Sequence, residues 1–93
     1  MNPINTTTII QRIPDILFSE MDEETVLLRI QNGEYYGLDQ TGSRIWQLIE
    51  KPISFGQIID TLVAEYNVSR TACENDVVEF LKGLYENKLI RIL

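Results

Sequence analysis

The chain has 93 residues, with 14 acidic and 8 basic side chains, no histidine and one cysteine, so its formal net charge is −6 at pH 7. A negative balance opposes binding to the phosphate backbone of nucleic acids. Without histidine, and with only Cys73, the chain lacks the usual ligands of zinc, haem and iron–sulfur centres, so we expect no metal and no cofactor. Its apolar runs are far shorter than the roughly 20 residues of a membrane span, and it begins with no secretory signal, which favours the cytoplasm.

The length indicates a single domain over residues 1–93, because nothing in the chain has the composition of a linker between two domains. Residues 1–13 are polar and rich in threonine, and we expect part of this arm to be mobile until it meets the sheet. Pro14 then precedes a mixed apolar segment, Ile16–Met21, which is predicted as the first strand.

A second strand and a hairpin follow. The segment 25–31 alternates with period 2, which is typical of a strand with one buried face. Its alternating apolar positions are Val26, Leu28 and Ile30. Asn32-Gly33 suits both central positions of a two-residue type I′ turn, so Glu34–Leu38 is predicted to fold back as the last strand of the sheet. A last strand has one row of unpaired backbone N–H and C=O groups, which must be covered, blunted or used.

After the last strand the hydrophobic period changes from 2 to 3.6, which indicates helices. The first helix begins at Asp39 or Thr41, either of which can accept hydrogen bonds from free backbone amides, and it ends before Pro52. Ser54 and Gln57 have the spacing of a capping box and predict the start of a second helix.

The third helix is predicted from Ser69 or Thr71 to Asn87, with Asn87 as a left-handed stop. The tail, residues 89–93, either adds a short strand or covers the core. In this order the elements form a three-stranded antiparallel meander followed by three helices. The predicted fold class is therefore α+β, with the arrangement of a winged helix-turn-helix.

Four segments at this spacing resemble the PqqD-like family, and the resemblance covers roughly residues 15–92. The segments are Tyr35-Tyr36-Gly37-Leu38-Asp39, Thr41-Gly42-Ser43-Arg44-Ile45-Trp46, Ile58-Ile59-Asp60-Thr61-Leu62 and Asp76-Val77-Val78-Glu79-Phe80-Leu81. The resemblance implies a RiPP recognition element, which is a small domain that binds the leader segment of a ribosomally made precursor peptide and delivers it to modifying enzymes. It further implies that the leader adds a fourth strand between the third strand and the third helix, here Glu34–Leu38 and about Thr71–Leu84.

Within those elements, periodicity indicates which side chains face the peptide. Glu34, Tyr36 and Leu38 share one face of the strand, so Tyr36 is predicted to line the groove while Tyr35 and Gly37 lie on the other face. The facing stripe of the third helix is predicted to be largely core. Its edge, with Asp76, Val77, Phe80 and Leu84 as candidates, is predicted to stay partly open to apolar leader residues. The candidate peptide-binding residues are Glu34, Tyr35, Tyr36, Gly37, Leu38, Asp76, Val77, Phe80, Leu81 and Leu84.

The aromatic third strand and the Asp-Gln-Thr-Gly segment after it are more similar to the discrete proteins of lasso-peptide clusters than to those of pyrroloquinoline quinone synthesis. The resemblance then implies three partners: a precursor leader peptide, a transglutaminase-like leader peptidase and, downstream, a cyclase. We expect a non-catalytic adaptor, with a peptide chaperone of quinone cofactor synthesis as one alternative.

Three other functions compete with the adaptor. A DNA-binding winged helix would use the third helix for recognition, but its exposed positions are mostly acidic, which opposes phosphate contact. An enzyme would need a base, and the chain has no histidine, nucleophile elbow or phosphate loop. A dimerising module would pair the open edge with a second copy, so the expected state is a monomer or a weak dimer.

Overall fold

A computed structural model describes residues 4–93. The fold is α+β and confirms the predicted order of a three-stranded antiparallel sheet followed by three helices in a winged helix-turn-helix arrangement; a second small sheet was not predicted. The elements are β1 Ile9–Arg12, β2 Ile16–Met21, β3 Glu24–Arg29, β4 Glu34–Leu38, α1 Gln40–Leu48, β5 Ile53–Ser54, α2 Phe55–Tyr66, α3 Arg70–Glu86 and β6 Ile90–Ile92.

The first sheet is the predicted meander, in the order β2-β3-β4. The turn between β3 and β4 is longer than expected and occupies residues 30–33. Gly33 has a φ of 69°, whereas Asn32 is not among the residues with positive φ, so the predicted type I′ turn is wrong. Asn32 instead accepts a hydrogen bond at its side-chain oxygen from the Glu34 amide at 2.9 Å, an Asx-type contact that closes the wider turn.

The buried face of β3 is the opposite of the predicted one. Leu27 is fully buried, and Val26 and Ile30 are 42% and 55% exposed. The reason lies in the pairing, which sets Leu27 opposite Tyr36 and Thr25 opposite Leu38, so that these four residues share the face that packs on the helices. Both faces of β3 carry apolar side chains, so the alternation by itself could not identify the buried one.

The second sheet has the order β5-β1-β6 and joins three distant parts of the chain. Its central strand contains Ile10, which is fully buried and pairs with Ile53 of β5 and Ile92 of β6. Within the arm of residues 1–13, Ile9–Arg12 is a paired strand that the sequence did not predict. Mobility of the rest of the arm stays a prediction, and residues 1–3 lie outside the described residues. The tail forms a short strand, β6, which is one of the two outcomes that the sequence left open for residues 89–93.

The start of each helix follows the sequence closely. Asp39 caps α1 by accepting a hydrogen bond from the Gly42 amide at 2.8 Å. Ser54 and Gln57 form the predicted capping box of α2, and Ser69 caps α3. Side chains at these positions satisfy backbone amides that have no partner inside the helix.

The end of α3 differs from the prediction. Asn87 has a φ of −89°, and the left-handed residue is Lys88, with a φ of 60°. The Asn87 side chain donates to the Gly83 carbonyl at 2.8 Å, so it caps the last turn without taking the left-handed conformation itself. The reversal at Lys88 directs Leu89 into the core, where it is fully buried.

Arg12 connects the two sheets. Its guanidinium lies 4.8 Å from the ring centroid of Phe18 in β2 and 5.1 Å from that of Trp46 in α1. It also donates to the Trp46 carbonyl at 3.1 Å. A guanidinium at these distances from two rings makes favourable cation–π contacts, which fix β1 and the meander against the same helix.

The inverted face of β3 gives a direct test. Leu27→Ala removes a fully buried side chain and should lower the free energy of unfolding by about 2–5 kcal/mol. Val26→Ala, at the adjacent position on the exposed face, should change it by about 0.5 kcal/mol or less. Urea denaturation followed by fluorescence of Trp46, the chain's single tryptophan, measures both. A larger loss for Val26→Ala would contradict the register.

Candidate functional site

Strand β4 lies at one edge of the meander and pairs only with β3 within residues 4–93. Its backbone groups on the other side are free of strand partners in that part of the chain. Such an edge accepts a further strand through main-chain hydrogen bonds. The sequence correctly predicted both the strand and its bounds.

The two tyrosines of β4 lie on opposite faces of the sheet, as the alternation predicts. Tyr36 is opposite the buried Leu27 and is packed, partly buried, against the core. Its hydroxyl is 3.1 Å from a carboxylate oxygen of Glu34, to which it donates. Tyr35 is opposite Leu28 and is 71% exposed on the outer face. Tyr36 therefore presents an aromatic ring on the helix side of the open edge.

A cavity of about 270 Å³ lies at the end of β4, where α1 begins opposite α3. Its walls combine polar and apolar side chains: Asp39, Thr41, Gly42, Ile45, Asp76, Val77 and Phe80. A Cβ atom at Gly42 would lie 3.0 Å from Cε1 of Phe80, so the glycine allows the ring to rest directly on α1. The cavity offers an apolar floor to a side chain beside the last residues of β4.

A larger cavity, of about 820 Å³, lies beyond the other end of β4. Its lining comes from the end of β3, from α3 and from the chain beside β6: Ile13, Arg29, Lys82, Tyr85, Glu86, Lys88 and Ile90. Arg29 is the β3 residue opposite Glu34, the first residue of β4. Helix α3 thus lines both cavities, the smaller one beside the end of β4 and the larger one near the beginning of β4.

The predicted residues of α3 divide into two groups. Asp76 and Phe80 lie at the cavity with Val77, which lines it although only 2% exposed. Leu84 is 5% exposed and Leu81 is fully buried, and neither lines this cavity, so the peptide-binding role of these α3 residues stays a prediction. Helical spacing directs both leucines to the centre of the core.

Other residues of the site were not predicted. The start of α1 contributes Asp39, Thr41 and Gly42, and the larger cavity adds Arg29, Lys82 and Tyr85. The close approach of Gly42 to Phe80 joins residues far apart in the chain, and no local pattern signals it. Arg29 and Lys82 could have been noticed in the sequence, because basic residues are few in this acidic chain. That the two lie at one cavity depends on how α3 packs.

The site offers binding surfaces and little that resembles catalytic chemistry. Within residues 4–93, no three His, Cys, Asp or Glu side chains come together as a metal site. Cys73 is buried, and burial raises the pKa of its thiol, which disfavours the reactive thiolate. The pKa of Glu65 is lowered by its hydrogen bonds to Arg44, a contact on the surface between α1 and α2.

No helix in the described part of the chain is both long and apolar enough to cross a bilayer.

Fold and site together define a small winged-helix domain with an open β edge facing a helix. The family model for coenzyme PQQ synthesis protein D (PqqD) matches residues 24–90. Two solved structures are similar over most of their length. TbiB1 in complex with the TbiA(beta) leader peptide is 38% identical, with a TM-score of 0.81 over 87% of this chain and 94% of that one. Lasso peptide synthetase B1 complexed with the leader peptide is 30% identical, with a TM-score of 0.77 over 88% and 96%.

The chain belongs to the PqqD family. A search of curated protein sequences gave no significant match.

The contact between α1 and α3 can be tested without a ligand. Gly42→Ala places a methyl group against the Phe80 ring and should lower the free energy of unfolding by about 1–3 kcal/mol. Gly83→Ala is the matched control, because its Cβ would meet nothing within 4 Å on the same helix as Phe80. That change should raise stability by about 0.5–1 kcal/mol through helix propensity. Equal changes in the free energy of unfolding for the two variants, measured by urea titration, would contradict the close contact between Gly42 and Phe80.

Proposed function

We propose that this protein is a non-catalytic adaptor that binds the leader segment of a ribosomally synthesised precursor peptide. The leader adds as a strand to Glu34–Leu38, in the gap against α3, and is presented to enzymes that modify the precursor. The observation that carries the proposal is the unpaired edge of β4 with Tyr36 on its helix side, in a chain similar to two proteins solved with leader peptides.

Main-chain hydrogen bonds would supply affinity independent of sequence. All of β4 takes part through its backbone, so Glu34, Tyr35, Tyr36, Gly37 and Leu38 contact the leader whichever face their side chains occupy. Gly37 has space for a neighbouring backbone, since a Cβ there would have nothing within 4 Å.

Side chains would supply the specificity. Alternate leader residues face the helices, where Tyr36 and the cavity of Asp76, Val77 and Phe80 receive them. An apolar leader side chain seated against Phe80 becomes the kind of buried anchor that dominates interface energy. Leu81 and Leu84 contribute indirectly, because they are core residues that hold α3 in position.

The expected affinity is moderate. Ordering a flexible leader costs several kcal/mol, so about a dozen residues in the gap should give a dissociation constant of roughly 10 nM to a few μM. This range suits an adaptor that must bind its cargo and later release it.

The chemistry would be performed by partners. In the lasso-peptide setting these are a transglutaminase-like leader peptidase and a cyclase downstream, and the adaptor works in the cytoplasm as a monomer or weak dimer. Holding the leader beside a docked peptidase raises the local substrate concentration and makes the second encounter effectively intramolecular.

The name of the matching family model favours one other candidate, a peptide chaperone of quinone cofactor synthesis. Both candidates use the same edge and differ in the peptide that they bind. A DNA-binding role has less support, because Asp76, Glu79 and Glu86 are exposed along α3.

Strand addition can be tested by amide hydrogen exchange with the TbiA(beta) leader peptide as probe. In the free protein, alternate amides of β4 face the open edge and should exchange fast. With peptide bound, those same amides should become protected, together with NMR shifts at Val77 and Phe80. Protection confined to the outer face of α3, or none with this leader or with a quinone-pathway precursor, would contradict the proposal.

The face of β4 that reads the leader can be tested with two matched variants. Tyr36→Ala should weaken binding about tenfold, because its ring lies on the groove side. Tyr35→Ala removes the same ring from the outer face and should leave the affinity within about twofold, since the backbone contacts remain. Fluorescence anisotropy with labelled TbiA(beta) leader measures both, and circular dichroism verifies that each variant is folded. A larger loss of affinity for Tyr35→Ala than for Tyr36→Ala would contradict the assignment of Tyr36 to the groove side.

A further inference from the structure

The basic side chains of this acidic protein are unevenly distributed. Five of the eight have side-chain partners: Arg44 with Glu65, Arg70 with Asp60 and Glu74, Arg12 with two aromatic rings, Arg91 with Gln11, and Arg29 with Gln31. Only Arg44 and Arg70 form ion pairs within residues 4–93, so six cations form none. Three of these, Arg29, Lys82 and Lys88, line the same cavity of about 820 Å³.

The cavity is suited to an acidic group with an apolar stem. Ile13, Ile90 and the ring of Tyr85 provide an apolar lining, and Glu86 is the acidic side chain among the described lining residues. A second carboxylate, Glu34 of β4, is opposite Arg29 in the strand pairing. The Arg29 guanidinium donates from Nη2 to Gln31 Oε1 at 2.9 Å, and its Nε atom is buried without a partner within the described residues. The ammonium groups belong to exposed residues, Lys82 and Lys88, and can make charge-assisted hydrogen bonds to a carboxylate.

The position of the cavity connects it to the peptide edge. Arg29 is opposite Glu34, where β4 begins, and the Phe80 cavity lies where β4 ends. The strand has five residues. At about 3.3 Å per residue, a peptide paired along it covers the distance between the cavities in about four to six residues.

We infer that the Arg29–Lys82–Lys88 cavity binds an aspartate or glutamate of the peptide strand, about four to six residues from the side chain that occupies the Phe80 cavity. This inference rests on the proposed function and adds to it a charged specificity determinant.

The overall charge explains why such a determinant would discriminate. With a net charge of −6, most of the surface repels an acidic peptide, and the three cations provide a local exception. A peptide gains the contact only when its acid and its apolar anchor have the right spacing. The pair of cavities would therefore fix the register of a strand whose main-chain hydrogen bonds alone do not specify one.

The test uses a phage-displayed random library of 12-residue peptides, panned on three forms of the full chain. These are the wild type, Lys82→Glu, and Lys51→Glu as a control with the same charge change at an exposed residue outside the cavity. Wild type and Lys51→Glu should both enrich Asp or Glu at a fixed spacing from an apolar residue. Lys82→Glu should lose that preference.

Synthetic peptides from the wild-type selection give the magnitude. Replacing the selected acid by its amide should weaken binding to wild type and to Lys51→Glu about fivefold, as for a partly exposed ion pair, and should have little effect on Lys82→Glu. Fluorescence anisotropy at low and moderate salt measures the difference, which should shrink as salt rises.

The two levels of the proposal fail in different ways. The same motif selected by all three forms, or an amide peptide that binds wild type as well as the acid does, overturns the charged determinant and leaves strand addition intact. If wild type enriches no peptide, or if selected peptides bind without protecting alternate amides of β4, strand addition fails, and the determinant fails with it.

Discussion

The pairing of β3 with β4 is the constraint on which the rest of this structure depends. Leu27 opposite Tyr36 and Thr25 opposite Leu38 set one face of the hairpin on the helices. Because side chains alternate along a strand, a shift of one residue would send Tyr36 to the solvent face and Tyr35 to the groove. The same pairing uses one side of the β4 backbone and leaves the other side open. The register of β3 against β4 therefore determines the core, the groove and the free edge together.

Helix α3 serves the core and the groove at once because the domain is small. Its residues Val77, Leu81 and Leu84 are buried, and a domain of this length needs almost every apolar stripe for its own stability. Only the margin of the stripe, at Asp76 and Phe80, lines a cavity beside the end of β4. Gly42 allows α1 to approach Phe80 closely, so this margin is a cavity with walls on two helices.

The distribution of charge agrees with a protein that binds and delivers a peptide. Acidic residues are exposed along α3, and three of the six cations that form no ion pair within residues 4–93 line one cavity. Neither the buried thiol of Cys73 nor the surface pair of Arg44 and Glu65 has the surroundings of a catalytic group. The proposed adaptor role requires shape and register and needs no reactive group of its own.

Local features were predictable from the sequence: the bounds of β4, the caps at Asp39, Ser54 and Ser69, the α+β class and the opposite faces of the two tyrosines. Each depends on residues within a few positions of one another, where backbone geometry and side-chain type decide the outcome. Tertiary structure alone decided which face of β3 is buried, that Ile9–Arg12 joins the tail in a second sheet, and that Leu84 belongs to the core. It also brought Arg29 and Lys82 to one cavity. The physical reason is that burial and charge clustering depend on contacts between segments distant in the chain. The hydrophobic period of a strand or helix indicates that the element has an apolar face, but it does not identify the segment that packs against that face.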